Sequence, residues 1–159
     1  MNARSMNDTE HPVLELERFL PYRLSVLSNT ISQAIAREYA ERFELSVTEW
    51  RVIAVLGRYS DVSASEVAER TAMDKVAVSR AVASLIGAGR VRREVHGDDR
   101  RRSVLALTGK GRKVYEQVAP RALAHERRLI GLLDSEERRW LDRILDKLAA
   151  EPVREVLAS

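Results

Sequence analysis

The residues KVAVSRAVASLIGAG (75–89), followed directly by RVRREVHGDDRRRSVLALT (90–108), decide the fold. In the first stretch Val78, Val82, Leu85 and Ile86 fall at i, i+4, i+7 and i+8, the spacing of one face of an α-helix. The spacing predicts a helix from about Lys75 to Ala88, stopped by Gly89. Its apolar face turns to a core, so Lys75, Ala77, Ser79 and Arg80 project elsewhere from its N-terminal half. In the second stretch, residues 91–95 and 103–107 are short strand candidates either side of the turn residues His96-Gly97-Asp98-Asp99. They predict a β-hairpin with arginines at its tip and on one arm.

Working outward, Ser63-x-x-Glu66 is a capping-box pattern that opens a short helix through Val67, Ala68 and Thr71, joined to the helix at 75 by a turn over 72–74. Ser46-x-x-Glu49 is the same box and opens a helix carrying Trp50, Val52, Ile53, Val55 and Leu56. Before it, Pro21 suits a first helical turn, and Leu24, Leu27, Ile31, Ala34, Ile35 and Tyr39 recur at helical spacing to about Phe43. After the hairpin, Thr108 is positioned to cap a helix through Val114, Tyr115 and Val118, in which Pro120 predicts a kink or a break. Asp134-x-x-Glu137 caps a last helix with Trp140, Leu141, Ile144, Leu145 and Leu148 on one face. The first and the last two helices have apolar stripes with no partner in a three-helix head, which points to burial against a second copy of the chain.

Composition narrows the function classes. The chain has 159 residues and no cysteine, which excludes a disulfide framework, a thiolate nucleophile and a thiol switch. No run of about 18 apolar residues is present, so no membrane span is expected, and polar residues at the start replace the apolar core of a secretory signal. The cytoplasm is the expected location. The net charge is only +3, but six arginines (90, 92, 93, 100, 101 and 102) crowd the hairpin against the three acids Glu94, Asp98 and Asp99. Clustering alone is equally a solvated face. Arginines on a hairpin are also the side chains suited to phosphates and narrow minor grooves. His11, His96 and His125 lack metal-ligand spacing, no nucleophile elbow accompanies the Ser, His and Asp residues, and Gly109-Lys110-Gly111 is too short for a phosphate loop. Neither metal, cofactor nor enzymatic activity is expected.

The region from Leu56 to Gly111 resembles the MarR family of winged-helix regulators. Residues 65–71 look like the first helix of its helix-turn-helix, 75–85 like its recognition helix, and 89–93 like the exit into the wing. Asp98-Asp99-Arg100-Arg101-Arg102 followed by Leu107-Thr108-Gly109-Lys110-Gly111 is similar to the wing signature and the start of the next helix, with Asp98 standing where many relatives carry a basic residue. The resemblance runs from about residue 14 onward. It implies a mainly α fold with a small β-hairpin: a winged helix-turn-helix head at 46–108, N- and C-terminal dimerisation helices at 12–45 and 109–159, all one domain, behind a flexible N-terminus at 1–11.

The same resemblance implies a homodimer that binds a pseudo-palindromic double-stranded operator and responds to a small ligand, commonly an aromatic acid. Repression is the expected mode. Recognition helices enter the major groove by their N-terminal residues. Small residues at Ala77 and Ser79 allow close approach, Arg80 matches guanine O6 and N7, and Lys75 suits phosphate. Ser84 and Arg93 complete the expected contacts. In the wing, Arg100 is expected in the minor groove, with Asp99 and Arg101 bracing the hairpin and Arg102 as a further cation. Tyr22, Arg23, Tyr39, Trp50 and Arg51 are candidates for the ligand pocket, with Arg23, Arg37 or Arg51 to neutralise an anion, although aromatics at helical spacing also suit a core. Two other readings fit the residues: an effector-independent DNA-binding protein, or a helical interaction module whose basic hairpin meets an acidic partner.

Overall fold

The computed structural model describes residues 13–95 and 103–150. The elements follow the order α1 (Leu20–Ala36), α2 (Ala40–Phe43), α3 (Val47–Arg58), α4 (Ala64–Thr71), α5 (Lys75–Gly87), β1 (Val91–Val95), β2 (Ser103–Leu107), α6 (Gly109–Ile130) and α7 (Ser135–Ala149). The chain is thus mainly helical with one antiparallel hairpin, whose register pairs Val91 with Leu107 and Val95 with Ser103. A single bridge adds Val62 to the outer edge of β2, its carbonyl accepting from Leu105 N–H at 2.8 Å. No helix among the described residues is long and apolar enough to cross a membrane.

Local chemistry sets these boundaries. Three capping boxes close as the spacing predicts, at Ser46 with Glu49, Ser63 with Glu66, and Asp134 with Glu137. Each satisfies two backbone N–H groups that a helix start otherwise leaves bare. Thr108 caps α6 by accepting from Gly111 N–H. Asp74 adds a cap the spacing did not announce, its Oδ1 accepting from Val76 and Ala77 N–H at 2.9 and 3.0 Å. Gly89 sits at φ +68, the left-handed region that ends a helix without strain only at glycine.

Two expectations for the long helices need correction. The first helix does not run unbroken to Phe43: α1 ends at Ala36, and Glu38 and Tyr39 N–H turn back to Ile35 and Ala36 carbonyls in a tighter turn before α2 begins. The break lets Tyr39 leave the helix line and bury its ring, which packs 5.6 Å from the ring of Trp50. Of the two outcomes expected at Pro120 the break is not found, since α6 spans all 22 residues from Gly109 to Ile130. Proline lacks the N–H that would meet the carbonyl of Glu116, and both residues lie on an exposed side of the helix.

The core lies in the head. Val52, Ile53 and Leu56 of α3, Val67 of α4, Val78, Val82 and Leu85 of α5, Leu105 of β2 and Val118 of α6 form one buried cluster. Ile86, expected in the core, is half-buried at its edge, and Ala81 of α5 is buried beside it. By contrast α1 and α7 bury none of their residues.

Candidate nucleic-acid interface

The outward face of α5 follows from its inward one. At about 100° per residue, the buried Val78, Ala81, Val82 and Leu85 occupy one side of the helix. The opposite side is set by residues 76, 79, 80 and 83, all exposed. Val76, Arg80 and Ala83 therefore point straight away from the core, and Ser79 is turned toward the Lys75 flank. Lys75 is exposed on one flank, and Ala77 is half-buried on the other. Ser84 is exposed as well, but its hydroxyl donates to Glu49 Oε1 of α3 at 2.6 Å. The single hydroxyl hydrogen of Ser84 is thus committed inside the head.

Glu49 serves both ends of this contact. Its Oε2 accepts from Ser46 N–H at 2.8 Å, closing the α3 cap, while Oε1 takes the Ser84 hydroxyl. Partial burial pushes this carboxyl upward. The hydrogen bonds from Ser46 and Ser84, with the charge of Arg90, outweigh that and hold it below its ordinary value.

The root of the hairpin is stitched to α6. Thr108 Oγ1 donates to Gly89 O at 2.7 Å, Thr108 N–H to Arg90 O at 3.0 Å, and Lys110 Nζ to Ala88 O at 2.9 Å. Gly111 lies so near the Arg90 carbonyl that a side chain would collide with it. Arg90 reaches back to Phe43 O at 2.5 Å, and Arg112 of α6 donates to Gly57 O of α3 at 3.1 Å. Arg92 of β1 pairs with Glu94 at 2.6 Å, so it is not a free cation of the hairpin. Arg93 is exposed on the same strand. Asp99, Arg100, Arg101 and Arg102 lie outside the described residues. The head also presents Tyr59, whose ring has the guanidinium of Arg70 at 4.1 Å and that of Arg58 at 5.3 Å. Sequence reasoning passed over this pairing because Arg70 meets Tyr59 only after α4 folds back on the end of α3.

The five residues expected in a ligand pocket divide into two groups. Tyr39 is buried in the core with its ring tilted against that of Trp50 at the core's edge, and the Trp50 ring stacks on Tyr115 of α6 at 6.3 Å. Burial pushes the Tyr39 phenol up to about 12, against the opposing pull of nearby Arg51. Arg51 donates to Ser32 Oγ of α1 at 3.0 Å. Tyr22 and Arg23 are exposed near the start of α1, roughly 15 Å along its axis from Ser32. A cavity of about 380 Å³ between α1 and α6 is lined by other residues, among them Ile31, Ala34, Ile35, His125, Arg128 and Leu129. At its edge Glu38 meets His125 at 3.0 Å and Arg121 at 3.3 Å. The His125 hydrogen bond, with a smaller contribution from Arg121, holds the Glu38 carboxyl below its usual range.

Comparison with known proteins agrees with this geometry. A model of the MarR family matches residues 43–102. The HTH-type transcriptional regulator BilQ of Clostridium symbiosum (strain WAL-14163) is 31% identical over 98 residues, which cover 60% of this chain and 67% of that protein. A MarR/EmrR family transcriptional regulator from Acinetobacter sp. ADP1 superposes with a TM-score of 0.78 at 29% identity, covering 85% of this chain and 95% of that one. The S. aureus MepR–DNA complex shares the fold with a TM-score of 0.73 at 20% identity, covering 82% of this chain and 95% of the other.

Proposed function

This chain belongs to the MarR family of transcription regulators, and from that premise we propose that it acts as a homodimeric repressor, released from its operator by a small ligand. The observation that carries the DNA-reading part is the outward face of α5, where Arg80 stands opposite the buried stripe with Ser79 on its flank, both exposed among the described residues. Arg80 reads guanine, Ala77 and Ser79 permit close approach, and Lys75 neutralises phosphate. Arg93 and the wing residues Arg100, Arg101 and Arg102 add cationic contacts, with Asp99 bracing the hairpin. Ser84 reaches DNA only by giving up Glu49.

A second copy completes the molecule. Phe19, Leu20, Leu24 and Leu27 at the start of α1, with Trp140, Ile144, Leu145 and Leu148 of α7, leave large apolar area in water. Monomeric proteins rarely expose contiguous patches of that kind. Pairing through α1, α6 and α7 covers them and sets two copies of α5 about one DNA turn apart on a pseudo-palindrome. A small acid, aromatic in the main, settles between these helices and the head, and shifts the head spacing only so far as it prefers one spacing over the other. The protein works in the cytoplasm.

Fluorescence anisotropy with the duplex upstream of its own gene tests the reading. The expected affinity exceeds that for random duplex by about 10³-fold or more at fixed salt. Equal affinities would reject specific regulation. A thermal-shift panel of aromatic acids tests the effector, since a ligand of the native dimer raises its melting temperature by mass action.

A further inference from the structure

Val76 is out of place. Among the described residues, the large hydrophobic side chains left exposed fall almost wholly on α1 with its lead-in and on α6 and α7 with the turn between them. In the head there are two, Tyr59 and Val76, and Tyr59 is faced by two guanidinium groups. Val76 is the one exposed aliphatic of that kind in the head, 56% exposed at the start of α5. It is also a β-branched residue in a first helical turn, where straight-chain or small residues fit better.

Its position carries the argument further. Val76 stands at the pole of α5 opposite Val78, Val82 and Leu85, on the same stripe as Ser79 and Arg80 at i+3 and i+4. Its own N–H is held by Asp74 Oδ1 at 2.9 Å, so the first turn is fixed and the side chain stays outward. A major groove offers one apolar feature to such a side chain, the C5-methyl group of thymine. We infer that Val76 is a specificity residue that packs against the methyl group of a thymine in each operator half-site, next to the base read by Arg80. The inference rests on the reading of α5 as the element that enters the major groove.

The test uses the full chain and the duplex it enriches most strongly from a random pool. Each thymine of the half-site is replaced in turn, symmetrically, by deoxyuridine, which removes the methyl group and nothing else. Burying one methyl group is worth about 0.8 kcal/mol, or about fourfold in affinity. One symmetric replacement should therefore weaken binding about sixteenfold across two half-sites, while the others leave it unchanged. Val76→Ala should bind the thymine duplex more weakly by a similar factor, lose all sensitivity to that replacement, and keep its melting temperature. The inference fails if wild type binds every deoxyuridine duplex as it binds thymine, or if Val76→Ala stays sensitive at the same position. Either result leaves α5 as a DNA reader intact. Enrichment of no sequence at all would instead remove the DNA reading, and this inference with it.

Discussion

Glu49 joins two elements that no backbone hydrogen bond connects, and removing it separates their contributions. Glu49→Ala deletes the acceptor for Ser46 N–H at 2.8 Å and for Ser84 Oγ at 2.6 Å. The cap is worth about 1 kcal/mol. A hydrogen bond to a carboxylate contributes about 1.5–3 kcal/mol, and the lower end applies here because both partners border solvent. The sum is about 2.5 kcal/mol, which for a chain of this size lowers the melting temperature by about 5–10 °C. Glu49→Gln keeps the capping box and weakens only the Ser84 bond, so it should cost about half as much. Because the folded Glu49 carboxyl lies below its ordinary value, its contribution is complete above the unfolded pKa and is lost as pH falls through the folded one. The gap between wild type and Glu49→Gln should therefore close on acidification through the carboxylate range. A double-mutant cycle of Glu49→Ala with Ser84→Ala, read by chemical denaturation, should return a coupling of about 1 kcal/mol. A coupling within the additivity error of about 0.3 kcal/mol would refute the strut and leave the Ser84 hydroxyl free for DNA.

Three further outcomes follow from the geometry. Arg80→Ala should cost about 1–3 kcal/mol at one base pair of the operator and relax preference there, measured by competition among single-substituted duplexes. His125→Ala removes the main cause of the lowered Glu38 carboxyl, so its titration should move up toward the ordinary range, followed by carbon NMR of the side-chain carboxyl. Trp140→Ser with Ile144→Ser replaces two large exposed groups of α7 and should shift the sedimentation mass toward the monomer, while the head's core, which neither residue joins, keeps its helical signal.

The head was legible wherever local rules decide. Both strands, the start of α5 and three capping boxes follow from spacing, because cap and turn chemistry acts over three or four residues. What escaped depends on distant partners. Tyr39 breaks the first helix because Trp50, eleven positions later, offers its ring a buried face. The commitment of Ser84 is invisible without Glu49, 35 positions away. Pro120 was read by its local penalty, yet the helix runs on past it to Ile130. Of the candidate site, the exposed stripe of α5 could be drawn from periodicity alone, whereas the proposed ligand residues Tyr22 and Arg23 share a chain segment with Tyr39 but not a location.

The stitching at the hairpin root has a mechanical consequence. Thr108, Lys110 and Arg112 fix the start of α6 to the end of α5, to the first residue before β1, and to α3. In the proposed dimer, a tilt of α6 about its far end would carry α5 and the wing base with it. Twenty-two residues at about 1.5 Å each make an arm of roughly 33 Å. A tilt of about 10° at the far end then swings the reading helix by roughly 6 Å, close to two base-pair steps of about 3.4 Å. For the proposed dimer on a pseudo-palindrome, an angular change of that size would be enough to put two half-sites out of register.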